Sequence, residues 1–598
     1  MREISQPTQM ATISDGNLTD HIEFNATYHP NFESASIQID GTWTPVRALE
    51  FRSLIRSVAK GLIAEGIKSG DRVGIFSRTK YEWTVADYAI WYAGGVTVPI
   101  YETSSPEQVQ WIMSDAHVVA TFFEAQRTTH SFQVIAESVP HMKHSYIFAD
   151  NAFDELIRKG SGISDSDLDA RRAIAQIDDV ATIIYTSGTT GRPKGCILSH
   201  GNFMTEVETL IYGIPEVFER EDASTLTFLP LAHVFGRAIQ VAMIRGRVTI
   251  GHCTNPVSLL RDLESFKPTF LLAVPRVFEK VFNGSAAKAH DASPAKGKIF
   301  DQAAATAIAY SEAIELGRIP TSLKLKHAVF DKLVYSKLRH AMGGRVTHAI
   351  SGGASLGARL GHFYRGLGLI VLEGYGLTET TAGSTINTPS KIKIGTVGPA
   401  LPGTGVRIES DGEILLHGGH IFQGYWNNPE ATAEVMTSDG WFRTGDIGEL
   451  DAEGFLKITG RKKEILVTAG GKNVAPAVLE DRLRSNPIVS QCVVVGDSKP
   501  FIGALITLDM DALPQILAAN DIESAPMETL IIDSEVRALV QKAVNVANEA
   551  VSNSEAIKKF VILPSDLTIE NGYLTPKLSI KRHEVVKDFA AQIESLYS

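Results

Sequence analysis

Cysteine is scarce in this chain of 598 residues, which contains only Cys196, Cys253 and Cys492. Three cysteines this far apart cannot build a disulfide framework, and their spacing matches no cysteine-based metal site. The sequence therefore predicts a protein of a reducing compartment that folds without structural disulfides.

Long hydrophobic runs are also missing. No segment supplies the roughly 18 consecutive apolar residues that indicate a membrane-spanning helix. The N-terminal segment lacks the apolar centre of a secretory signal. These two absences predict a cytoplasmic protein, and they leave peripheral membrane contact open.

The chain has no surplus of positive charge: 57 Lys and Arg stand against 68 Asp and Glu, a net charge of −11. This balance argues against a broad surface for nucleic acid. Hydrophobic residues at 44% and charged residues at 21% are typical of a globular protein. At about 150 residues per domain, the length predicts roughly four structural units.

The first few hundred residues alternate between helical and strand patterns. Thr44-Pro45 is a good cap and first-turn pair, and Leu54, Val58 and Leu62 share one face of the helix expected to follow. Strands separated by helices of this length indicate parallel βαβ units covered on both faces. Strand patterns follow at 72–77, 96–100, 119–123 and 146–149.

Changes in composition divide the rest of the chain. A segment rich in Ala, Lys and Leu at about 283–345 predicts a helical insertion, and 398–460 has the alternation of a small antiparallel sheet. The expected fold class is α/β, with a large N-terminal domain of βαβ-type parallel and mixed sheets and a small β-rich subdomain at 1–460. A hinge at 461–466 and a small mobile α+β domain at 467–598 complete the expected organisation.

One segment carries the strongest chemical signal, a strand, loop and strand over 183–200. The loop combines hydroxyls, glycines and a lysine, which suit it to surround phosphate oxygens. It is not a Walker A loop, because Pro193 precedes Lys194 and a strand-like run follows where that motif begins a helix. The residues predicted to bind phosphate are Thr186, Ser187, Gly188, Thr189, Thr190, Gly191 and Lys194.

The run YTSGTTGRPKG at 185–195 resembles the phosphate loop of the adenylate-forming, or AMP-binding, superfamily. Three further stretches resemble its motifs in the same order: SGGA at 351–354, EGYGLTET at 373–380, and WFRTGD at 441–446 followed by Gly460-Arg461. The chain is identified as a member of this superfamily from about residue 45 to its end.

The resemblance implies roles for particular residues. Tyr375 would stack on adenine, Thr378 and Glu379 would reach the phosphates and Mg²⁺, and Asp446 and Arg461 would hold the ribose side. These residue types suit their roles, because carboxylates accept hydrogen bonds from hydroxyls and ligate Mg²⁺, and an aromatic face stacks on a purine. The implied nucleotide site also includes Gly352, Gly353, Ala354, Glu373, Gly374 and Gly376.

Two stretches resemble long-chain acyl-CoA synthetases in particular, LPLAHVFGR at 229–237 and AVPRVFEK at 273–280, and the helical insertion after them does so too. In that family the position of His233 lies near the acyl carboxylate. The loop that turns toward the active site for thioester formation corresponds to Gly470, Gly471 and Lys472.

The superfamily also uses a C-terminal lysine to neutralise charge during adenylation, and here the pattern departs from the long-chain one. The chain reads LTPKLSIKR at 574–582, with Ser579 where a lysine is usual. Lys577 lies two positions earlier, on the same face of an extended backbone, so we favour it; Lys581 is the other candidate. Because this lysine and the thioester loop cannot occupy one cleft together, a rotation about Lys463 is expected.

The resemblance implies that a fatty acid and MgATP form acyl-AMP and pyrophosphate, and that coenzyme A then yields acyl-CoA and AMP. ATP and coenzyme A are the expected co-substrates, Mg²⁺ the expected cofactor, and no nucleic acid partner is expected. One alternative is an acyl-AMP ligase that serves a carrier protein, but such enzymes typically carry an insertion after the hinge, and 463–480 is compact here. Another is a sensor without catalysis, which would be expected to lose residues such as Lys194, Glu379 or Asp446.

Overall fold

The largest sheet of the protein has seven strands and a parallel centre. The structure is a computed structural model that describes residues 2–11, 13–125, 138–186, 192–253, 258–470, 472–575 and 580–598. The central strands are buried almost throughout, as expected where helices cover both faces. In spatial order the strands are Gly424–Tyr425, Lys194–Ser199, Val180–Thr186, Val96–Ile100, Arg72–Phe76, Val118–Phe123 and His144–Ile147.

Two four-stranded sheets accompany it, and both combine parallel and antiparallel pairs. The first contains Ser224–Thr227, Thr249–His252, Glu33–Ile39 and Thr42–Arg47. The second contains Phe270–Ala273, His348–Ser351, Ile370–Tyr375 and Thr385–Ile386. The βαβ architecture predicted from the sequence is therefore confirmed.

A five-stranded antiparallel sheet forms the small β-rich part, as the alternating pattern predicted. Its edge strand comes from the polar N-terminal segment: Glu3–Ser5 pairs with Gly405–Ile408. In spatial order the strands are Glu3–Ser5, Gly405–Ile408, Glu413–His417, Phe442–Leu450 and Leu456–Arg461.

The C-terminal part combines a three-stranded sheet with helices. Val489–Val495, Ile502–Leu508 and Ile557–Ile562 form the sheet, and Leu466–Val467 pairs with Asn473–Val474 in a separate hairpin. A core cluster drawn only from residues 466–562 lies on this sheet. The α+β pattern expected for this part of the chain is therefore present.

Helices cover the sheets and form the insertion. Those of the first part are Asp20–Tyr28, Ala48–Ala64, Tyr81–Tyr92, Pro106–Asp115, Ala152–Lys159, Asp165–Arg172, His200–Gly213, Pro215–Phe218, Val234–Gly246 and Leu259–Phe266. The insertion and its surroundings contain Pro275–Ala292, Pro294–Glu315, Thr321–Phe330, Ser336–Ala341, Ala358–Gly366 and Pro429–Val435. The C-terminal part has Pro476–Arg484, Leu513–Ala519, Met527–Leu530, Ser534–Asn548, Arg582–Asp588 and Ala590–Tyr597. In the described part of the chain, no helix has the length and apolar content needed to cross a membrane.

The helix predicted to start at Thr44-Pro45 begins later. Both residues lie in the strand Thr42–Arg47, and the helix starts at Ala48 with Glu50 bound back to the backbone N–H of Arg47 at 2.9 Å. Proline is tolerated there because this strand forms the edge of its sheet. The prediction was wrong because a cap-like dipeptide also fits an edge strand.

A buried ion pair lies at the centre of the large core. The guanidinium of Arg237 binds the carboxylate of Asp87 through two nitrogens, and neither side chain is exposed. Thr97 donates a further hydrogen bond to Asp87 at 2.8 Å, and Trp91 lies 5.0 Å from the guanidinium. Arg237 therefore has a structural role, although it lies in one of the stretches that carry the family resemblance.

Candidate active site

The two strands that flank the predicted phosphate loop close its base. Thr186 ends one strand and Lys194 begins the next, and the two are register partners in an antiparallel pair. This pairing places the backbone of Lys194 directly opposite that of Thr186. Ser187, Gly188, Thr189, Thr190 and Gly191 lie outside the described residues.

One tyrosine connects the loop lysine with the predicted magnesium ligand. The Nζ of Lys194 lies 5.1 Å from the ring centroid of Tyr425, whose hydroxyl donates a 2.8 Å hydrogen bond to Oε1 of Glu379. Burial, together with the Glu379 carboxylate, raises the pKa of Tyr425, so the phenol stays a neutral donor. Thr378 is buried in the same short turn as Glu379. A cation and an anion thus both contact Tyr425, close to the strand end at Lys194.

A second constellation joins the predicted adenine and ribose residues. The hydroxyl of Tyr375 donates to Oδ2 of Asp446 at 2.6 Å, and Nε of Arg461 lies 3.0 Å from Oδ1. Asp446 and Arg461 are register partners on neighbouring strands, which fixes this geometry. Burial raises the pKa of Asp446 while the Arg461 guanidinium opposes the rise, and the carboxylate in turn raises the pKa of Arg461.

Glu373 is a buried carboxyl at the end of a strand. Its Oε2 accepts a 3.0 Å hydrogen bond from the backbone N–H of Leu356, just beyond the loop of Gly353 and Ala354. Burial raises the pKa of Glu373 to about 7, and the carboxylate of Asp481 contributes to the increase. This link ties the two predicted nucleotide loops together.

The glycines of these loops allow close backbone approach. A Cβ on Gly376 would lie 1.4 Å from the carbonyl oxygen of Ala382, so no side chain fits there. A Cβ on Gly374 would lie 3.0 Å from another carbonyl, that of Thr385. The turn that carries Glu379 can therefore fold back on its own strand.

A buried glutamate that the sequence analysis did not identify supports this turn. Oε1 of Glu206 accepts a 2.7 Å hydrogen bond from the backbone N–H of Gly383, and burial holds the pKa of Glu206 well above its usual range. The preceding Thr381 and Ala382 both have positive φ angles, 52° and 118°, which non-glycine residues rarely adopt. No local pattern marks Glu206, because its partner lies 177 residues away in the chain.

His233 caps the helix Val234–Gly246, and its Nδ1 accepts a 3.0 Å hydrogen bond from the backbone N–H of Phe235. The ring of Phe235 lies 3.4 Å from the position of a Cβ on Gly352. The stretch that carries His233 therefore lies beside the predicted adenine-side loop.

The predicted catalytic elements of the C-terminal part are only partly described. Lys577 and Gly471 lie outside the described residues. The backbone N–H of Lys581 donates a 2.8 Å hydrogen bond to the backbone carbonyl of Tyr573. Gly470 and Lys463 are exposed, and Nζ of Lys472 lies 3.4 Å from Oε1 of Glu555.

Polar contacts join the helix Pro275–Ala292 to the C-terminal part. Arg276 donates to the hydroxyl of Ser490 at 3.4 Å, and Gln515 donates to Asp291 at 2.9 Å. The carboxylate of Asp481 acts on Glu373 across the same boundary. Among the described residues, these contacts between the two parts of the chain are polar, which is common at boundaries between domains.

A mixed α/β fold, with Lys194 and Glu379 on Tyr425 and with Tyr375 and Arg461 on Asp446, is the arrangement expected of a nucleotide-binding enzyme. Residues 29–426 match the family model described as AMP-binding enzyme, and residues 463–598 match the model of the AMP-binding enzyme C-terminal domain. The chain belongs to the AMP-binding enzyme family.

Curated relatives extend over the whole chain. The long-chain-fatty-acid–CoA ligase FadD15 of Mycobacterium tuberculosis is 48% identical over 602 residues, covering 100% of both chains. The long-chain-fatty-acid–CoA ligase ACSBG2 of Xenopus laevis is 31% identical and covers 93% of this chain and 80% of its own length.

Solved structures share the fold. The A-PCP didomain of the carboxylic acid reductase of Segniliparus rugosus, in complex with AMP, has a TM-score of 0.76 at 21% identity, covering 98% of this chain and 83% of its own. A fatty acyl CoA synthetase of Mycobacterium tuberculosis has a TM-score of 0.63 at 21% identity, covering 96% and 99%. The predicted fold class is therefore confirmed.

Proposed function

We propose that the chain activates long-chain fatty acids to acyl-CoA through an acyl-AMP intermediate. One observation carries the proposal: the full-length identity of 48% to a long-chain-fatty-acid–CoA ligase. The arrangement of Lys194, Tyr425 and Glu379 beside Tyr375, Asp446 and Arg461 supports it, because it presents a cation, a hard anion and a ribose acceptor near one another.

In the first step, a carboxylate oxygen of the fatty acid attacks the α-phosphorus of ATP. The bond between the α-phosphorus and the bridging oxygen breaks, and pyrophosphate leaves with that oxygen. Lys194 and the hydroxyl loop hold the phosphates, and Asp446 accepts hydrogen bonds from the ribose hydroxyls. Lys577 is the proposed mobile donor that balances the charge building on the α-phosphate.

The residues around Glu379 suit a magnesium ion. The described residues contain no cluster of three or more side chains able to hold a metal. A single hard carboxylate is the usual protein share of a Mg²⁺ site whose other ligands are phosphates and waters. When bound there, Mg²⁺ would neutralise phosphate charge. Tyr425 orients the Glu379 carboxylate through its 2.8 Å hydrogen bond.

In the second step, the coenzyme A sulfur attacks the acyl carbonyl carbon, the bond to the AMP oxygen breaks, and the thiol proton goes to solvent. We assign this step to a second orientation of the unit 467–598, reached by rotation about Lys463 in the hinge 461–466. That orientation would bring the loop of Gly470, Gly471 and Lys472 to the site. The cytoplasmic location expected from the sequence stays a prediction.

Two activities must be separated by experiment. Pyrophosphate should be released when palmitate and ATP are supplied, and AMP and acyl-CoA should appear only once coenzyme A is added. Accumulation of acyl-AMP that coenzyme A does not consume would favour the carrier-protein alternative. That alternative is not favoured, since the relatives are CoA ligases and the chain passes from the hinge to Pro476–Arg484 through one short hairpin.

The acyl class is tested with a series of acids under the same conditions. Acetate, octanoate, palmitate and arachidate are compared by kcat/KM. Palmitate or arachidate should be preferred. Faster turnover of acetate or of a cinnamic acid would contradict the long-chain assignment.

A further inference from the structure

Three apolar side chains stand exposed in a row on the helical insertion. Leu325, Val329 and Leu333 are 67%, 56% and 48% exposed. They are spaced by four residues along the helix Thr321–Phe330 and the π-helical turn Asp331–Tyr335, so they share one face over about 12 Å. We call these three residues the apolar ridge.

The opposite face of the same segment is firmly packed. Phe330 and Tyr335 are buried, and the Tyr335 hydroxyl donates to the carbonyl of Ala303 at 2.7 Å. The ring of His327 stacks on Tyr310 with centroids 3.9 Å apart. The outward direction of the ridge therefore follows from the packing of the segment.

Basic residues surround the ridge. Lys324, Lys326 and Lys332 are exposed, and over residues 318–337 five Lys and Arg stand against a single acidic residue, Asp331. That acid is already bound to Arg339 at 2.7 Å. A local charge of about +4 thus lies on a chain whose net charge is −11.

We propose that this face, the apolar ridge with its three lysines, docks on an anionic phospholipid bilayer. Apolar side chains that enter the boundary between headgroups and acyl chains, flanked by lysines that meet anionic lipid, are the features of an interfacial helix. A ridge of three side chains is too small for a stable protein interface, which buries about 800 Å² per partner. The charge of the face selects the bilayer, because the rest of this acidic chain is repelled from it.

Packed side chains connect the docking face to the loop of the proposed site. Phe330, behind the ridge, belongs to the same core cluster as Phe363 and Tyr364 of the helix Ala358–Gly366. That helix directly follows the loop with Gly352 and Gly353. If the proposed function holds, docking places the enzyme where a long-chain acid is dissolved; the docking itself does not depend on that function.

Binding is measured by co-sedimentation of the full chain with vesicles, without ATP or coenzyme A. Vesicles of phosphatidylcholine that contain about 30 mol% of the anionic lipid phosphatidylglycerol are compared with vesicles of phosphatidylcholine alone. Wild type should bind the anionic vesicles, and binding should weaken as salt is raised. The triple variant Leu325→Ser/Val329→Ser/Leu333→Ser should bind at least about tenfold more weakly.

The lysines are tested in the same assay. Lys324→Gln/Lys326→Gln/Lys332→Gln should weaken binding about fivefold per lysine, or about 10²-fold in total. Exposed lysines of the C-terminal part supply the matched control Lys542→Gln/Lys558→Gln/Lys587→Gln, and Ile532→Ser/Val546→Ser is the control for the apolar variant. Both controls should bind like wild type.

Three results would overturn the proposal: wild type that does not bind anionic vesicles, a ridge variant that binds as well as wild type, or a control that loses as much as its test variant. A change of molecular mass in the ridge variant, without vesicle binding by wild type, would assign the face to a second copy instead. Thermal unfolding checks that each variant folds, and turnover of octanoate in solution, measured separately, distinguishes a failed docking face from a failed activity.

Discussion

The hydroxyl of Tyr375 donates a 2.6 Å hydrogen bond to Oδ2 of Asp446, 71 residues further along the chain. Arg461 occupies the other carboxylate oxygen at 3.0 Å. The ring proposed to stack on adenine and the carboxylate proposed to bind ribose are therefore directly connected. The hydrogen bond between Tyr375 and Asp446 fixes the position of each relative to the other.

Tyr375→Phe keeps the ring and removes the hydroxyl, so it tests this connection. A hydrogen bond to a charged group contributes about 1.5–3 kcal/mol, and we expect kcat/KM for ATP to fall by about tenfold or more. Tyr375→Ala, which also removes the ring, should lose more. The parameter to measure is kcat/KM for ATP at saturating fatty acid. Equal kcat/KM values for Tyr375→Phe and wild type would show that the hydrogen bond from Tyr375 to Asp446 does not contribute to the use of ATP.

Glu379→Gln conserves the side-chain volume and removes the anionic oxygen. Mutation of a residue that only hydrogen-bonds to a metal ligand costs about 10–100-fold in metal affinity. Loss of the ligand itself should therefore raise the Mg²⁺ concentration for half-maximal pyrophosphate release by at least that factor. Tyr425→Phe, which removes only the hydrogen bond to Glu379, should give a smaller shift. An unchanged Mg²⁺ dependence in Glu379→Gln would remove this residue from the site.

The two half-reactions should separate at the C-terminal lysine. Lys577→Ala is expected to slow acyl-AMP formation by about 10²–10³, because a preorganised donor is lost from the α-phosphate. Conversion of supplied acyl-AMP and coenzyme A to acyl-CoA should remain largely intact, since it uses the other orientation of the small unit. Rapid-quench assays of each half-reaction provide the measurement.

Lys581→Ala is the matched control for that variant. Its contact with Tyr573 is made by the backbone N–H, which alanine retains, so neither half-reaction should change. The reverse pattern, with Lys581 essential and Lys577 dispensable, would assign the role to Lys581. Equal loss in both half-reactions would indicate a folding defect.

Glu373 should make stability depend on pH. Burial raises its pKa from the usual 4.5 to about 7, so its stabilising contribution is complete below about pH 4.5 and is lost as pH rises through 7. Glu373→Gln cannot ionise, and its amide oxygen can still accept from Leu356. At pH 8 the variant should exceed wild type in unfolding free energy by about 3 kcal/mol, with the difference vanishing near pH 4.

Urea denaturation of both proteins at intervals of about one pH unit between pH 4 and pH 8 measures this difference in unfolding free energy. A constant difference across this range would mean that Glu373 titrates at its ordinary pKa in the folded protein.

Local pattern was sufficient for much of the fold. The strand predicted at 96–100 is Val96–Ile100, and the one predicted at 72–77 is Arg72–Phe76. Each of these segments is alternating or uniformly apolar over its own length, so the pattern of neighbouring residues is sufficient to predict a strand. The same reasoning failed at Thr44-Pro45, where one dipeptide suits both a helix cap and an edge strand.

The sequence by itself determined the family and the residue types of the site, because the loop at 185–195 and the motifs after it are contiguous runs whose side chains need no folding to be recognised. Tertiary structure decided which side chains meet. The bonds from Tyr425 to Glu379 and from Gly383 to Glu206, and the pairing of Glu3–Ser5 with Gly405–Ile408, join residues 46, 177 and about 400 positions apart. Such contacts depend on how sheets and helices stack, and burial then sets the pKa values, so no local pattern can predict them.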